Sequence, residues 1–323
     1  MRTIAIAAGG DSSEYEISVK SANEVSKALS SNYNIYIILI RGINWYWEDN
    51  KGRYHSIDKN DFSLIIDDSK IRFDCVFIAI HGSPGENGLL QGYFDMLKIP
   101  YSSCSAFCSA LTFNKQACKM FLKEYSIPMA DAVMVRKTDE IDPSEIISRI
   151  GLPCFVKPND SGSSFGVTKV KEKVKLIPAI GKAFSESDEV MIEAYMKGRE
   201  VACGVVKTSN KTLILPVTEI ISKNEFFDFE AKYTPGKSEE ITPADIPQSV
   251  SDTIQELSSG IYDMLGCSGI VRVDFIIVDE KPFFLEINTV PGMTAESIIP
   301  KQAEAAGILP GDLYSLVIED ILI

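Results

Sequence analysis

The clearest alternation of apolar and polar positions lies between Gly269 and Thr294, GIVRVDFIIVDEKPFFLEINTVPGMT. Ile270 to Ile277, rich in Val, Ile and Phe, and Phe283 to Ile287, of the same character, predict two strands, with turn chemistry at Val278 to Pro282 between them. Upstream, Thr3 to Ala8 is a short apolar run. Gly9-Gly10 turns it into a predicted helix ending near Leu29, with Ile17, Ala22, Val25 and Leu29 as its stripe and Asp11, Ser12 and Ser13 as candidate caps. Asn34 to Ile40 predicts the next strand, so the opening β-Gly-Gly-α-β suggests a parallel sheet. Trp45 to His55 predicts a small β excursion and Asp74 to Ile80 a buried strand. Helices are predicted over 87–97, 112–122, 143–150, 248–265, 296–306 and from Pro310 to Ile323. The helix over 248–265 carries Val250, Ile254, Leu257, Ile261 and Leu265 on one face. Further strands are predicted at Ala132 to Val135, up to Lys157 and onward from Val167, Val190 to Glu193, and Val201 to Lys207 paired with Lys211 to Ile220. Ser222 to Pro247 forms a long polar connection of the kind used as a lid or binding loop.

Alternation places Arg272 and Asp274 on one face of the 269–294 hairpin, and Glu286 and Asn288 likewise. If the hairpin folds about Glu280, Asp274 lies opposite Glu286 and Arg272 opposite Asn288. Two carboxylates side by side in an apolar ribbon need a cation between them. Carboxylate and amide oxygens are hard ligands that suit Mg²⁺. The competing reading is a solvated face with cross-strand charge pairs, which the apolar character of both arms disfavours.

The chain has 323 residues, 45% hydrophobic and 24% charged, as expected of a globular protein of two or three packed units. Its net charge of −13 argues against nucleic acid as a partner. No apolar run reaches membrane-spanning length and MRTIAIAAGG has the pattern of a strand, so a cytoplasmic location without membrane association is expected. Seven cysteines are scattered without a C-x-x-C pair and there are only two histidines. That pattern argues against zinc and a disulfide framework, and most of the cysteines are expected to pack as small apolar residues.

Other candidate groups are ambiguous on residues alone. Glu14 by position is a first-turn acid favouring the helix dipole. His81, at a strand end before a glycine-rich loop, either touches a ligand or hydrogen-bonds within the loop. Lys115 in a first helical turn opposes the dipole and hints at an anion nearby. CFVKPNDSGSSFGVTKV has loop residues small enough to approach a phosphate, but its lysine precedes the glycines and a strand follows, unlike a P-loop. Nor is the opening turn a dinucleotide fingerprint.

Taken in order, GGDSSEYEIS, HGSPGENGLLQG, KPNDSGSSFGV, EAYMKGREV, FDFEAKY, RVDF, and LEINTVPGMT with ESIIP resemble the ATP-grasp ligases, and within them the D-alanine–D-alanine ligases of cell-wall synthesis. The resemblance covers nearly the whole chain. It implies α/β and α+β architecture: a parallel-sheet N-terminal domain over 1–103, and two α+β domains, 104–192 and 193–323, that clasp ATP. It also implies two Mg²⁺ or Mn²⁺ ions, D-alanine as the other substrate and a homodimer. By resemblance, Lys115 and Lys157 hold nucleotide phosphates, Ser163 and Ser164 lie in a loop over them, and Lys232 and Tyr233 belong to the lid. Glu193 to Met196 (Glu193, Ala194, Tyr195, Met196) line the adenine, and Glu200 takes the ribose. Asp274, Glu286 and Asn288 match the metal ligands. Glu14 matches the acid that holds the first substrate's ammonium, with His81 beside the substrate. Arg272 and the Gly292 N–H match oxyanion donors, and Ser297 with the Ile298 N–H matches the anchor for the second substrate's carboxylate.

The activity so implied is ligation of two D-alanines through a D-alanyl phosphate. Asn87, Phe165, Phe227 and Phe229 depart from the common pattern and bear on loop geometry. The Lys232-Tyr233 pair favours a dipeptide product. The alternative within enzymes is an ATP-grasp ligase with another second substrate, such as D-lactate, and the alternative from another class is an inactive nucleotide-binding or scaffold homologue. The inactive reading is opposed by the presence of Arg272, Asp274, Glu286 and Asn288.

Overall fold

The structure is a computed structural model that describes residues 1–160, 162, 165–222 and 237–323. Ser163, Ser164, Lys232 and Tyr233, and the departures Phe227 and Phe229, lie outside the described residues. Three sheets organise the chain. In the first, β1 (Thr3–Gly9) lies parallel to both β2 (Asn34–Arg41) and β7 (Cys75–Ile78). The antiparallel strands β3 (Asn44–Glu48), β4 (Tyr54–Asp58), β5 (Ser63–Ile66) and β6 (Ser69–Ile71) extend it beyond β2. The second sheet, antiparallel, takes β8 (Ala132–Arg136), β9 (Cys154–Pro158), β10 (Thr168–Val170) and β11 (Glu189–Ala194) in the order β10-β9-β11-β8. The third is built on β12 (Arg199–Lys207), with β13 (Thr212–Ile214), β14 (Thr218–Ser222), β15 (Ser238–Ile241), β16 (Gly269–Val278) and β17 (Lys281–Asn288). This mixed α/β arrangement is the expected fold class.

Most predicted elements form, and four departures have local causes. Helix α1 (Tyr15–Leu29) begins later than its candidate caps, because Ser12 instead donates to the His81 carbonyl and accepts from the Glu14 N–H. Its buried stripe is Ser18, Ser21, Ala22, Val25 and Leu29, while Ile17 faces a cleft. The helix predicted over 112–122 is two helices, α3 (Ala106–Phe113) and α4 (Lys115–Lys123), the short α2 (Leu89–Leu97) preceding them. Asn114 breaks the run by leaving the helical region and capping α4, its side chain accepting from Ala117 N–H. Lys115 remains on a first turn. The strand predicted over 211–220 is likewise interrupted between β13 and β14, where Pro216 has no N–H to donate. β5 and β6, too short to show a period, were not foreseen.

Helices α5 (Pro143–Ile150) and α6 (Leu176–Ala183) cover the second sheet. Helix α7 (Gln248–Met264) lies over β12 and β17, and α8 (Ile298–Ala305) and α9 (Pro310–Ile321) follow. One apolar core joins the first and third sheets, with Ile4, Ile6, Val25 and Phe77 packed among Val206, Ile270, Ile299 and Tyr314. Another core draws all its members from 133–194.

The β16–β17 hairpin has the expected pairs Asp274↔Glu286 and Arg272↔Asn288, reached by an unexpected route. Its turn is the two residues Asp279 and Glu280, both at positive φ (48° and 63°), as a tight hairpin demands. From Val278↔Lys281 to Phe275↔Phe284 the register therefore runs one residue short of a fold about Glu280, and a bulge at Leu285 restores it. Phe284 and Ile287, three apart, can then both enter the core while Glu286 and Asn288 face the cleft. Deleting Leu285 is expected to force one of those apolar side chains out of the core and cost about 2–5 kcal/mol in denaturant unfolding. Leu285→Ala, which keeps the residue count, is expected to cost much less.

Candidate active site

A cleft of about 1140 Å³ opens between the sheets. It is lined by Glu14, His81, Lys115 and Lys157, by Glu193 to Met196, by Glu200, by Arg272, Glu286 and Asn288, and by Gly292, Ser297 and Ile298. These come from all three sheets, so the structure brings together residues up to 284 positions apart in sequence (Glu14 to Ile298). Asp274 lies beneath, only 3% exposed.

On the cleft floor, Arg272 donates from Nε and Nη2 to the two oxygens of Asp274, both at 2.7 Å, and Asn288 Nδ2 donates to Oδ2 at 3.2 Å. A bidentate guanidinium is the strongest side-chain partner available to a buried carboxylate. It offsets one negative charge, and Glu286 stands directly across the ladder from that pair. Two carboxylates and an amide converging on one face are an all-oxygen donor set, which fits a hard divalent cation. Arg272, expected as an oxyanion donor, has two of its five donors on Asp274.

One wall is cationic. Glu193, buried at the end of β11, accepts from Lys119 and from Lys157, the latter at 2.5 Å. Burial opposes its ionisation, but the two ammonium groups outweigh burial and hold the carboxyl below its ordinary range. Two lysines thus share one carboxylate, and burial, with Lys157 beside it, lowers the Lys119 pKa despite Glu193. Lys115 adds a third cation, placed by the Asn159 carbonyl and side-chain oxygen, which accept from the Lys115 and Gln116 N–H groups. Lys119 and Asn159 were missed in the sequence. The available signal for Lys119 was a lysine inside the buried stripe Cys118, Lys119 and Leu122 of α4. Beyond Glu193, Tyr195 lies under the Lys169 ammonium at 3.9 Å from its ring.

The opposite wall gathers Glu14, His81 and Glu86. His81 Nδ1 lies 2.9 Å from the Val290 carbonyl, which only accepts, so Nδ1 carries the proton. Nε2 then accepts from Ser21 Oγ at 3.2 Å. Burial, partly countered by Glu14, lowers the His81 pKa and keeps the ring neutral. His81 thus makes the loop-type hydrogen bonds foreseen as one of its two readings, and it also lines the cleft. Glu86 accepts from Gly82 N–H at 2.7 Å, yet burial and the adjacent Glu14 push it up to about 8. Gly162 of the small-residue loop approaches closely, since a Cβ there would come within 2.5 Å of the Glu14 carboxylate.

Past β17, the chain turns at Pro291-Gly292. A Cβ on Gly292 would lie 2.7 Å from Ser297 Oγ, so a larger residue would displace the Ser297 hydroxyl at the start of α8. The Ser297 hydroxyl is within 2.8 Å of Thr294 Oγ1 and accepts from Thr294 N–H, and the Ile298 N–H opens α8 beside the cleft. Glu200 on β12 pairs with Ile276 of β16, two register positions from the Ala202–Asp274 pair.

Two predictions follow from these charges. An acid raised in the folded state is protonated there while the unfolded chain has already ionised, so its contribution to stability falls as pH rises. Between about pH 4.5 and 8, wild type should lose stability relative to Glu86→Gln, and the gap in melting temperature should widen by a few degrees. A constant gap would show that Glu86 ionises normally. Lys119→Met keeps the apolar stem but removes one of two cations on Glu193, and should cost roughly 1–3 kcal/mol by chemical unfolding.

A family model described as "D-ala D-ala ligase N-terminus" matches residues 3–104, and one described as "D-ala D-ala ligase C-terminus" matches residues 121–319. The D-alanine--D-alanine ligase of Phocaeicola vulgatus is 53% identical over 321 residues, 99% of each chain. That of Bacteroides fragilis is 48% identical over the same extent. Among solved structures, a D-Ala:D-Ser ligase from Enterococcus faecalis superposes with TM-score 0.88 at 32% identity, covering 100% of this chain and 99% of that one. A Bacillus anthracis D-alanine--D-alanine ligase solved in complex with ATP superposes with TM-score 0.80 at 30% identity, covering 100% and 98%. With family models and relatives alike spanning nearly its whole length, the chain belongs to the D-alanine–D-alanine ligase family.

Proposed function

We infer that this chain uses ATP to join two molecules of D-alanine into D-alanyl-D-alanine for peptidoglycan synthesis. The observation that carries the reading is the paired face of β16 and β17, where Asp274, Glu286 and Asn288 meet beside Arg272 at the floor of a cleft with a cationic wall.

In this reading the triphosphate lies along Lys115 and Lys157, whose charge offsets that of its oxygens. Glu193 to Met196 take the base and Glu200 the ribose. Glu14 holds the ammonium of the first D-alanine, so that its carboxylate points toward the terminal phosphate. That carboxylate attacks the γ-phosphorus, ADP leaves, and a D-alanyl phosphate remains. The amine of the second D-alanine, its carboxylate held by Ser297 and the Ile298 N–H, attacks the acyl carbon, and phosphate departs. Arg272 and the Gly292 N–H receive the negative charge that builds on the acyl oxygen. Asp274, Glu286 and Asn288 would hold the divalent ions, two Mg²⁺ or Mn²⁺. When bound, these supply charge neutralisation to the phosphate oxygens. Ser163, Ser164, Lys232 and Tyr233 are proposed from sequence as the groups that close over the phosphates and exclude water.

The division into units over 1–103, 104–192 and 193–323 is supported by one sheet in each region, except that β11 carries the middle sheet on to Ala194, two residues past the proposed boundary. A homodimer and a cytoplasmic location are further expectations, the first open to sedimentation analysis. No helix among the described residues is long and apolar enough to cross a membrane.

Purified protein given ATP, Mg²⁺ and D-alanine should release phosphate and form the dipeptide. Release only with D-serine or D-lactate as second substrate would overturn the assignment of the acceptor. Glu286→Gln should lower turnover by roughly 100-fold or more while leaving the melting profile unchanged. A variant that fails to fold would instead make that carboxylate structural.

A further inference from the structure

Cys104, Cys108 and Cys267 come together away from the cleft, with their three Sγ atoms all within 4.8 Å of one another. Among the described residues this is the one group of cysteine, histidine and acidic side chains so disposed. Spacings of 4 and 159 residues hide it from any motif search, which is why the scattered cysteines looked like apolar filler. Cys104 and Cys108 are buried, and Cys267 is half-buried, leaving one side of the group open to solvent.

We propose that these three thiols form a binding site for a divalent thiophilic cation of the Zn²⁺ or Cd²⁺ type. Three observations carry it. Cys108 Sγ and Cys267 Sγ are 3.7 Å apart. Two sulfurs each about 2.3 Å from a tetrahedral ion lie about 3.8 Å apart, so that pair already has the separation a shared ion imposes. The third sulfur needs a side-chain rotation of under about an ångström to join them.

The backbone around the group supplies polar contacts to sulfur. Cys104 immediately precedes Ser105, the N-cap of α3, and Cys108 lies in the first turn of that helix. A first-turn position near the positive end of a helix dipole is one that favours ionised cysteine. Ser268 N–H also points to Cys104 Sγ, at 3.4 Å. Cys104 Sγ in turn donates to the Ser268 carbonyl at 3.3 Å, so this sulfur has polar partners that an apolar filler has no need of.

The group is held in a fixed frame. Ser268 Oγ donates to the Ser103 carbonyl at 2.9 Å, and a Cβ on Gly269 would lie 1.9 Å from the Ser102 carbonyl. The segment that enters α3 is thus pressed against the start of β16, and an ion here would staple the two. Three thiolates and a divalent ion leave one negative charge, against two for a monovalent ion, and the smaller charge is the easier to bury. The fourth position, on the Cys267 side, opens to water. As each metal–sulfur bond forms, the thiol gives its proton to solvent.

The test uses the full chain, reduced and stripped with chelator. Titration with Cd²⁺ should produce a thiolate-to-metal charge-transfer band in the ultraviolet that saturates at one ion per chain, releases protons, and disappears on adding Zn²⁺. Cys108→Ala and Cys267→Ala should each weaken the affinity by at least about tenfold. Cys154→Ala, at a buried thiol in a different core, should not. Should Cys108→Ala fail to fold, the half-exposed Cys267→Ala carries the comparison alone. No band in excess Cd²⁺ overturns the proposal, as does a band that survives both substitutions. Loss of two of the three thiols to a disulfide in the intact chain, with no uptake of metal, overturns it as well.

Discussion

Burial of like charge governs this molecule. Asp274 and Glu286 face each other across the ladder of an otherwise apolar hairpin, and Asp274 is almost wholly withdrawn from water. A carboxylate so placed costs several kcal/mol unless it is matched. Arg272 matches one of the two. The other faces a cleft that Lys115 and Lys157 also line, Lys157 and the buried Lys119 both pairing with Glu193. An acidic floor and a basic wall suit a polyanion that arrives with its own counter-ions, which is the chemistry of a nucleoside triphosphate.

The same principle runs through the third wall with the opposite outcome. Glu86 sits close to Glu14 with no arginine to match it, and it keeps its proton instead. Glu86 so held serves as an acceptor for the Gly82 N–H. His81 stays neutral for the related reason that burial disfavours its charged form.

How far the sequence foretold this depends on range. The faces of β16 and β17 were legible because alternation is a local property, and the pairs 274–286 and 272–288 followed from it. The route to them was not legible. The tight Asp279-Glu280 turn and the Leu285 bulge each shift the register by one, and both arms are too uniformly apolar for composition to tell. Asn114 hid a helix break inside a helical period, since capping competes with continuation through hydrogen bonds that a pattern does not record. Lys119 and Asn159 act through partners more than 40 residues away, and the cysteine group spans 163 residues from Cys104 to Cys267. Roles for Glu14, Ser297 and Ile298 came from resemblance, because their positions alone favour a bland explanation.

The distribution of apolar cores has a mechanical consequence. The first and third sheets share theirs, and His81 adds a polar rivet by tying α1 to the Val290 carbonyl. The middle sheet keeps its core to itself. The sheet bearing Lys157 and Glu193 meets the other two through polar contacts instead, the buried Lys119–Glu193 ion pair and the Lys115 N–H on the Asn159 carbonyl among them. A joint held by directional polar bonds is expected to give way before an apolar core does, and movement there would change the width of the cleft.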